Sequence, residues 1–420
     1  YPNQEAQGQS RGRLRSITDP LGHTTTFGSY NAFGKPEKIT DPNGVSTTLT
    51  YDAAGRILSS TVQGRTTTMS YDPAGNLIEL DLPGPLAITS TYTSSNLLHS
   101  IRDSQGNTIE YGYDTEGNLN STQVSDPSGN LARFASYAYD EFNRLSKITE
   151  PGGFTDSLTR DVGGNPVELV NADGQTTGYA FDRLSRLVQV VRPDQSTASF
   201  AYDGHDNLTK VTDPIGSVTT FASNDFGEVT ERVSPETGIT ALEYNAAGQL
   251  LTRTDQSGIT QVRDYDAAGR LTAVRYPDPS QDITLGYDQG DFGKGRLTSM
   301  DDPGGSSRYA YNALGQVIQV KRRMGRTTFV TRYGYGQSGQ LATMTYPSGL
   351  RIVYDRGSSG RVTGVRTHRA VVAQAASALP FGPYEAWSCG QRGFEIKRTF
   401  NQRSLIETIK AEDVANFTYT

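Results

Sequence analysis

Tyr51-Asp52-Ala53-Ala54-Gly55-Arg56 is a six-residue phrase that returns almost unchanged as Tyr265-Asp266-Ala267-Ala268-Gly269-Arg270. Looser copies fill the chain, and most successive copies begin 20 to 22 residues apart. Their first residues, in chain order, are Tyr30, Tyr51, Tyr71, Tyr92, Tyr113, Tyr139, Arg160, Phe181, Tyr202, Ser223, Tyr244, Tyr265, Tyr287, Tyr311, Tyr335 and Tyr354. Self-similarity at a fixed period of this size is typical of a repeat architecture, so this spacing decides the fold class.

Each copy of the phrase predicts a tight turn. Asp52 opens the turn because its carboxylate can accept hydrogen bonds from backbone N–H groups, and Gly55 takes the position that needs a positive φ. This pattern is typical of a type I turn followed by a left-handed residue, a common hairpin connection. Asn96 and Asn143 stand where most copies have Gly, as expected for the residue that tolerates this conformation next best. Further residues of the structural motif are Tyr71, Asp72, Gly75, Tyr113, Asp114, Gly117, Tyr265, Asp266, Gly269 and Arg270.

A second turn signal lies about midway between the copies, and we term it the counter-turn. Asp41-Pro42-Asn43-Gly44 and Asp213-Pro214-Ile215-Gly216 are examples, in which proline presets φ and glycine closes the turn. The short runs between turns are rich in Thr, Val, Ile and Tyr and indicate strands, as in the stretches 45–51 and 56–62. The sequence therefore predicts an all-β antiparallel meander with two strands in each repeat. Open sheets rarely exceed about ten strands, so we expect the ribbon to coil into a spiral or a hollow cocoon or barrel wall.

Composition and charge exclude several classes of protein. The chain is 35% hydrophobic with 45 Gly and 23 Tyr, which is too few apolar residues for a thick aliphatic core. A net charge of -6 without a basic stripe argues against nucleic-acid binding. Cys389 is the only cysteine, so no intrachain disulfide can form. No stretch approaches the roughly 18 apolar residues of a membrane span, and we expect none.

Three segments depart from the rhythm of the array. An insertion, 288–295, follows Tyr287, and a basic patch, Lys321-Arg322-Arg323-Met324-Gly325-Arg326, is predicted to form an exposed turn. In 365–398 the spacing is lost, and the only Trp of the chain, Trp387, lies there. We expect three regions: a repeat array in 1–364 that starts in mid-array, an irregular loop or plug in 365–398, and a truncated resumption of the repeats in 399–420. The last of these contains Tyr419.

The side chains that could carry chemistry are better explained by structure. The aspartates occupy fixed places at turns, so they are interpreted as turn openers rather than as an acid–base pair. The adjacent pair Asp301-Asp302 is interpreted as a turn opener with a solvated neighbour. The four histidines lie at unrelated phases of the repeat, which predicts no zinc site: His23, His99, His205 and His368. Cys389 has no histidine near it in sequence and is interpreted as structural. The sequence thus predicts no catalytic residue, no cofactor and no metal ion.

The Tyr-Asp-x-x-Gly-Arg phrase, the counter-turn and the period resemble the Rhs/YD-repeat family, whose members include bacterial Rhs polymorphic toxins, the B and C components of Tc toxins, and teneurins. The stretch Pro380-Phe381-Gly382-Pro383 resembles a segment common in Rhs proteins. The resemblance implies a hollow β-cocoon whose lumen holds a C-terminal toxin. It also implies a core segment with paired aspartates that cut the toxin free, and neither that segment nor a toxin is found in this sequence.

The leading functional hypothesis is a non-enzymatic shell segment that encloses and protects a toxin cargo until delivery. Its expected partners are the cargo, the remaining shell segments of the same precursor and secretion-apparatus proteins, with no nucleic acid. Its expected location is the exterior or surface of a bacterium after synthesis in the cytoplasm. The alternative is a surface protein for adhesion or carbohydrate binding, since many tyrosines could stack on sugars. A third hypothesis places an enzyme in the irregular segment 365–398.

Overall fold

The chain folds as an uninterrupted succession of short strands. The computed structural model describes residues 12–390, 392–401, 403, 405–412 and 415–418, so Tyr419 and the first residues of the array lie outside the described part. Within that part there are 38 strands and one 3₁₀ turn, Pro279–Gln281, and no α-helix. The β-branched and aromatic residues between the turns favour extended backbone because they pack well on a pleated surface.

Most strands contain five to seven residues. The first half of the array comprises β1 (Ser16–Thr18), β2 (Thr24–Tyr30), β3 (Pro36–Thr40), β4 (Ser46–Tyr51), β5 (Ile57–Val62), β6 (Arg65–Tyr71), β7 (Leu77–Asp81), β8 (Ala87–Tyr92), β9 (Leu98–Asp103), β10 (Thr108–Tyr113), β11 (Leu119–Ser125), β12 (Leu131–Tyr139), β13 (Leu145–Glu150), β14 (Phe154–Arg160), β15 (Pro166–Val170), β16 (Thr176–Phe181), β17 (Leu187–Val191), β18 (Thr197–Tyr202) and β19 (Leu208–Thr212). The second half comprises β20 (Val218–Ser223), β21 (Val229–Ser234), β22 (Gly238–Tyr244), β23 (Leu250–Thr254), β24 (Thr260–Tyr265), β25 (Leu271–Arg275), β26 (Ile283–Tyr287), β27 (Leu297–Asp302), β28 (Gly305–Tyr311), β29 (Val317–Met324), β30 (Thr327–Tyr335), β31 (Leu341–Thr345), β32 (Arg351–Arg356), β33 (Val362–Arg366), β34 (Val371–Ala378), β35 (Tyr384–Cys389), β36 (Phe394–Phe400), β37 (Ile406–Ala411) and β38 (Ala415–Thr418).

Within each unit the paired strands are antiparallel and are neighbours in sequence. In the register around β4, Thr48 pairs with Lys38 of β3, and Thr50 pairs with Ser59 of β5. The register shifts by one residue between Thr50 and Tyr51, next to the turn of the phrase. The predicted all-β meander with two strands in each repeat is therefore confirmed.

Both kinds of turn close in the same way. At Asp52 the carbonyl accepts from Gly55 N at 3.0 Å and the N–H donates to the carbonyl of Arg56 at 2.9 Å. Gly55 has φ +78, and Asn96 and Asn143 take the equivalent place with φ +60 and +58, as predicted. Ser185 also takes this place, with φ +61, which the sequence pattern did not indicate.

The interior of the sheet is thin, as the composition indicates. Among the described residues, the buried apolar side chains are small or isolated, and none of the large ones is fully buried: Val45, Ala135, Ala273, Ile352 and Ala386. Most strand residues are instead half-buried, and in several strands this holds at consecutive positions and therefore on both faces. Stability therefore depends on the hydrogen-bonded ladders and on contacts that each repeat makes with the next.

By internal packing the chain divides into two units. Unit 1 comprises Tyr1–Gly112, Thr122–Phe134 and Leu285–Thr420, and unit 2 comprises Tyr113–Ser121 and Ala135–Thr284. Unit 1 thus contains an early and a late stretch of the array that are distant in sequence. Unit 2 consists of consecutive repeats.

The basic patch does not form the turn that the sequence predicted. Lys321, Arg322 and Arg323 lie within β29, and the ladder with β30 extends to the pair formed by Met324 and Thr327. The prediction is wrong because Gly325, with φ +56, allows a two-residue turn that leaves the rest of the patch in the strand. The insertion 288–295, by contrast, forms the longer connection between β26 and β27, closed by Asp288 N donating to the carbonyl of Arg296 at 3.1 Å.

The segment 365–398 is not a loop or plug. It contributes to the ladders that join β33, β34, β35 and β36, so the meander continues through it. The spacing is lost because β34 carries register shifts between Ala375 and Ser377 and between Ser377 and Ala378. These bulges insert extra residues into a strand without ending the sheet.

Candidate functional site

The repeated phrase forms a compact unit at each turn. Oδ1 of Asp52 accepts hydrogen bonds from Ala54 N and Arg56 N, each at 2.9 Å. Its other oxygen, Oδ2, lies 2.6 Å from Nε of Arg56. Asp52 therefore satisfies two backbone donors and one guanidinium, and Gly55 lets the chain reverse around it.

Arg56 joins its own turn to the next repeat. Besides pairing with Asp52, its guanidinium carbon lies 4.5 Å from the centre of the Tyr71 ring, and Nη1 is 3.5 Å from the carbonyl of Asp72. The second copy of the phrase has the same ion pair, since Arg270 Nε lies 2.7 Å from Asp266 Oδ2. A cation held over an aromatic face contributes about 0.5–1 kcal/mol at exposed sites.

The same arginine arrangement recurs along the array. Arg186 pairs with Asp182 at 2.7 Å, lies 4.9 Å from the Tyr202 ring and reaches Asp206 at 2.8 Å. Further cases of arginine over the next tyrosine are Arg13 with Tyr30, Arg296 with Tyr311, and Arg361 with Tyr384. The arginine of the phrase is thus a connection between successive repeats.

Asparagine replaces arginine in some copies and makes a shorter connection. In the turn of Asp72 and Gly75, Asn76 Nδ2 donates to Asp72 Oδ2 at 2.9 Å and to Asn96 Oδ1, in the following turn, at 3.1 Å. In the turn of Asp114 and Gly117, the residue after the glycine does the same, since Asn118 donates to Asp114 and to Asn143.

The tyrosine of the phrase ties its repeat to the preceding one. Tyr51 Oη donates to the carbonyl of Pro36 at 2.8 Å, and Tyr265 Oη donates to the carbonyl of Leu250 at 2.8 Å. The same bond joins further pairs of tyrosine and carbonyl: Tyr71 to Ile57, Tyr92 to Leu77, Tyr139 to Leu119, Tyr202 to Leu187, Tyr244 to Val229, Tyr311 to Leu297, Tyr335 to Val317 and Tyr384 to Val362. In these pairs the carbonyl lies on the strand that directly precedes the tyrosine's own strand, except for Tyr384 of β35, whose partner Val362 lies on β33.

The electrostatics of the turns follow from these bonds. The backbone N–H of Arg56, together with its guanidinium, lowers the pKa of Asp52, and the Asn76 side chain with its backbone N–H lowers the pKa of Asp72. Burial raises the pKa of the Tyr51 phenol, so this tyrosine stays protonated and able to donate. These are the protonation states that a structural turn needs, and no acid and base with separated pKa values result.

Asp301 and Asp302 are both ion-paired in the sheet. They end β27, and Asp302 pairs with Arg322 of β29 at 2.7 Å. Asp302 also opens the following two-residue turn, as predicted, since its Oδ1 accepts from Gly304 N at 2.8 Å. Asp301, which was expected to be only a solvated neighbour, is instead ion-paired, with Oδ1 2.7 Å from Nη1 of Arg308.

A second feature, which we term the seam, lies within unit 1 and has no signature in the sequence. Here counter-turns of the early stretch contact phrase turns of the late stretch. Lys294 N donates to Asn43 Oδ1 at 2.9 Å, and Asn43 Nδ2 donates back to the carbonyl of Lys294 at 3.1 Å. Arg65 Nη2 donates to the carbonyl of Gly336 at 2.8 Å. These partners stand 251 and 271 residues apart.

The seam continues on both sides of these contacts. Ser104 Oγ donates to the carbonyl of Ser358 at 2.8 Å. At the other end His23 lies between two carboxylates, with Nδ1 2.9 Å from Asp19 and Nε2 3.5 Å from Asp288. His23 is therefore part of the seam, although its position in the sequence gave no sign of a role.

The described residues contain no group of three or more His, Cys, Asp or Glu side chains placed to hold a metal ion. Cys389 is a free thiol at the end of β35. Of the remaining histidines, His99 lies 3.3 Å from the carbonyl of Tyr111. In the described part of the chain we find no helix with the length and apolarity needed to span a bilayer.

Comparison with known proteins identifies relatives along most of the array. The family model for the teneurin YD-shell matches residues 133–301. The family model for the RHS repeat matches residues 10–45, 30–63, 51–84, 92–131, 293–327 and 311–351. Together these matches extend over both units.

A curated relative and several solved structures are similar to the chain. The double-stranded DNA deaminase toxin A of Burkholderia cenocepacia (strain H111) is 27% identical over 162 residues, which is 39% of this chain and 9% of that protein. The crystal structure of TcdB2-TccC3 aligns with a TM-score of 0.70 at 14% identity, over 96% of this chain and 27% of that one. The Photorhabdus luminescens Tc holotoxin pore aligns with a TM-score of 0.63 at 12% identity, over 97% of this chain and 29% of that one. The chain thus shares its fold with these structures and spans less than a third of the relatives it matches.

Proposed function

The chain belongs to the Rhs/YD-repeat family, and we propose that it is a non-enzymatic segment of a shell that encloses a toxin cargo and protects it until delivery. The observation that carries this proposal is the continuity of the meander within each unit. Consecutive strands pair with each other there, and turns, tyrosines and arginines hold one repeat to the next. Such a sheet suits a wall, because a wall depends on an unbroken surface and not on a reactive side chain.

The mechanism is physical exclusion. Proteases and chaperones cannot reach a polypeptide behind a hydrogen-bonded sheet, and the producing cell is kept apart from the toxin by the same barrier. We propose that the remaining wall comes from other segments of the same precursor. Its partners are accordingly the cargo and those segments, with secretion-apparatus proteins for export to the exterior or surface of the bacterium.

The tyrosines give less support to carbohydrate binding. Their hydroxyls donate to backbone carbonyls at Tyr51 and Tyr265, as in the other pairs given above, so those groups are not available to sugar hydroxyls. The bulged strand β34 likewise offers an explanation of the segment 365–398 that needs no enzyme.

The test is protease protection of the cargo in the full precursor. The precursor and the isolated cargo are digested under the same conditions, and cargo peptides are followed by mass spectrometry. We expect the cargo within the precursor to survive at protease concentrations that destroy the isolated cargo. Cargo that is digested at equal rates in both samples, while the repeats remain intact, would contradict enclosure. Binding of the intact chain to a glycan array would instead favour adhesion.

A further inference from the structure

Positive charge is concentrated in one part of unit 1. Residues 297–366 contain ten Arg or Lys residues and three Asp residues, which gives +7 in a chain whose net charge is -6. The rest of the chain therefore carries -13. A local excess of one sign at this density is a physical statement about possible partners, since it creates a potential over the surface.

Six of these cations lie on one face of the sheet. Residues that pair directly across antiparallel strands share a face, as do residues two apart in one strand. Arg308 of β28 pairs with Lys321 of β29, and Lys321 shares its face with Arg323. The same ladder continues through Gln319 and Arg332, Arg332 and Thr345, Thr345 and Arg351, and Val353 and Arg366. We term the set Arg308, Lys321, Arg323, Arg332, Arg351 and Arg366 the cationic face.

The cationic face is exposed and only partly neutralised. All six side chains belong to exposed residues. Arg308 contacts both oxygens of Asp301, at 2.7 and 3.2 Å, and Arg366 contacts both oxygens of Asp355, at 2.8 and 3.0 Å. In the described part of the chain, Lys321, Arg323, Arg332 and Arg351 have no ion-pair partner, and Arg323 donates instead to the carbonyl of Gly325 at 3.1 Å. The face thus already holds carboxylates in two-pronged contacts and has four further cations without an ion pair.

We infer that the cationic face binds an acidic polypeptide segment in extended conformation. Alternate side chains of an extended strand repeat at about 6.8 Å, and Lys321 and Arg323 have the same two-residue spacing, so acidic residues at every second position match the face. The arginine guanidinium suits carboxylates because its fork makes two parallel hydrogen bonds. This inference goes beyond the proposed function and does not depend on enclosure.

The observations favour a polypeptide over a nucleic acid. Single-stranded nucleic acids are bound by aromatic side chains that stack on bases, beside a cationic groove. The ladder residues beside the six cations include Gln319, Val330, Thr345 and Val353, which offer no ring for stacking. The aromatic residues of these strands, such as Tyr309 and Tyr333, alternate onto the opposite face.

The test uses the intact chain and fluorescein-labelled poly-L-glutamate, with binding followed by fluorescence anisotropy at low ionic strength. The variant is Lys321→Gln, Arg332→Gln and Arg351→Gln combined, because none of these side chains has an ion pair to lose on folding. The control is Lys147→Gln with Lys210→Gln, two exposed lysines on strands of unit 2. Thermal unfolding of all three proteins establishes that they are folded.

Roughly tenfold weaker binding, which corresponds to about 1.4 kcal/mol, is expected for the triple variant, since three exposed ion pairs with the ligand are lost. The control should bind like the natural chain, and added salt should weaken binding. Equal binding by the triple variant would overturn the inference. So would tighter binding of an oligothymidylate with the same number of charges, lost in the same variant, because it would assign the face to a nucleic acid.

Discussion

The phrase turns and the seam hold the protein together in different ways. A phrase turn such as that of Asp52 and Arg56 uses partners within four residues and reaches the next repeat at Tyr71. The seam uses partners such as Asn43 and Lys294, which stand 251 residues apart. Turn contacts recur in copy after copy, whereas each seam contact has its own chemistry. The residues that form the turns of the sheet therefore recur in each repeat, whereas the residues that form a given seam contact occur once in the sequence.

This difference has a consequence for stability. In repeat proteins, stability is approximately a sum of repeat terms and nearest-neighbour terms. Damage to a turn should therefore be felt by the adjacent repeats, and damage to the seam should leave the repeats folded. Four predictions examine this distinction, from the largest expected effect to the smallest.

The largest effect is expected from acid, because it acts on many turns at once. The pKa is lowered in the folded protein for these turn aspartates: Asp19, Asp52, Asp72, Asp114, Asp126, Asp140, Asp161, Asp182, Asp203 and Asp266. A lowered folded-state pKa gives stability that is present above the unfolded value of about 3.9 and is lost as the pH falls through the folded value. We expect the free energy of unfolding, measured with urea, to fall steeply below about pH 4.

The chain contains its own control for this acid effect. Asn31 accepts from Phe33 N and Lys35 N at 3.0 Å, as Asp52 accepts from Ala54 N and Arg56 N, but an amide does not titrate in this range. Hydrogen exchange corrected for the intrinsic effect of pH should increase in acid at the Asp52 turn more than at the Asn31 turn. Equal increases at both turns would show that the aspartates do not cause the acid sensitivity.

The next effect is expected from Gly269→Val. Gly269 has φ +79, where a β-branched residue is strained, and a Cβ would lie 3.0 Å from Gln249 Nε2. We expect a loss of about 2 kcal/mol in the free energy of unfolding of the segment that contains this turn. Asn143→Gly, at an equivalent position, should change stability by less than about 0.5 kcal/mol. A Gly269→Val protein as stable as the natural one would mean that the turn does not determine the sheet.

A smaller effect is expected from Tyr265→Phe, which removes only a hydroxyl. Tyr265 Oη donates to the carbonyl of Leu250 at 2.8 Å, and the loss of such a bond costs about 1 kcal/mol. The control is Tyr346→Phe at an exposed turn position, which should be neutral in the same urea titration. If both variants are neutral, the tyrosines act through packing alone and the hydroxyl bridge contributes nothing.

The smallest effect on global stability is expected from Asn43→Ala in the seam. The substitution removes two hydrogen bonds to Lys294, at 2.9 and 3.1 Å, and leaves the ladder of β3 and β4 unchanged. We expect a change of less than about 1 kcal/mol in global unfolding, with faster proteolysis of the loop 288–295. Ser128→Ala, at the same place in another counter-turn, should affect neither quantity. A cooperative loss of the whole sheet in Asn43→Ala would contradict the separation of seam from turns.

The parts of the structure that could be predicted are those that repeat. Asp52, Gly55 and Arg56 specify a turn by local chemistry, so their role could be read from the sequence, and the strands at 45–51 and 56–62 agree with the structure to within one residue. The bulges of β34 could not be predicted, because they change the spacing without changing the residue types that favour strands. The charge of the patch at Lys321 favours an exposed turn, whereas the pairing of β29 with β30 places Lys321, Arg322 and Arg323 in a strand.

The seam and the cationic face could not be predicted for a common physical reason. Both depend on which side chains of different repeats become neighbours. The pairing registers of many successive strands determine these neighbours. The hydroxyl bridge of Tyr51 to Pro36 also depends on register, since the two residues lie at facing ends of the adjacent strands β4 and β3. Counting which side chains of adjacent strands share a face is the signal that could have found the cationic face.

The most direct test of the account is hydrogen–deuterium exchange followed by mass spectrometry on the natural chain, Gly269→Val and Asn43→Ala. We expect Gly269→Val to increase exchange in β22 to β26, around its own turn, and to leave the seam turns protected. We expect Asn43→Ala to increase exchange only at 41–45 and 288–296. An Asn43→Ala protein that exchanges rapidly throughout its strands, or a Gly269→Val protein that exchanges like the natural chain, would contradict the claim that local turns build the sheet and the seam joins it.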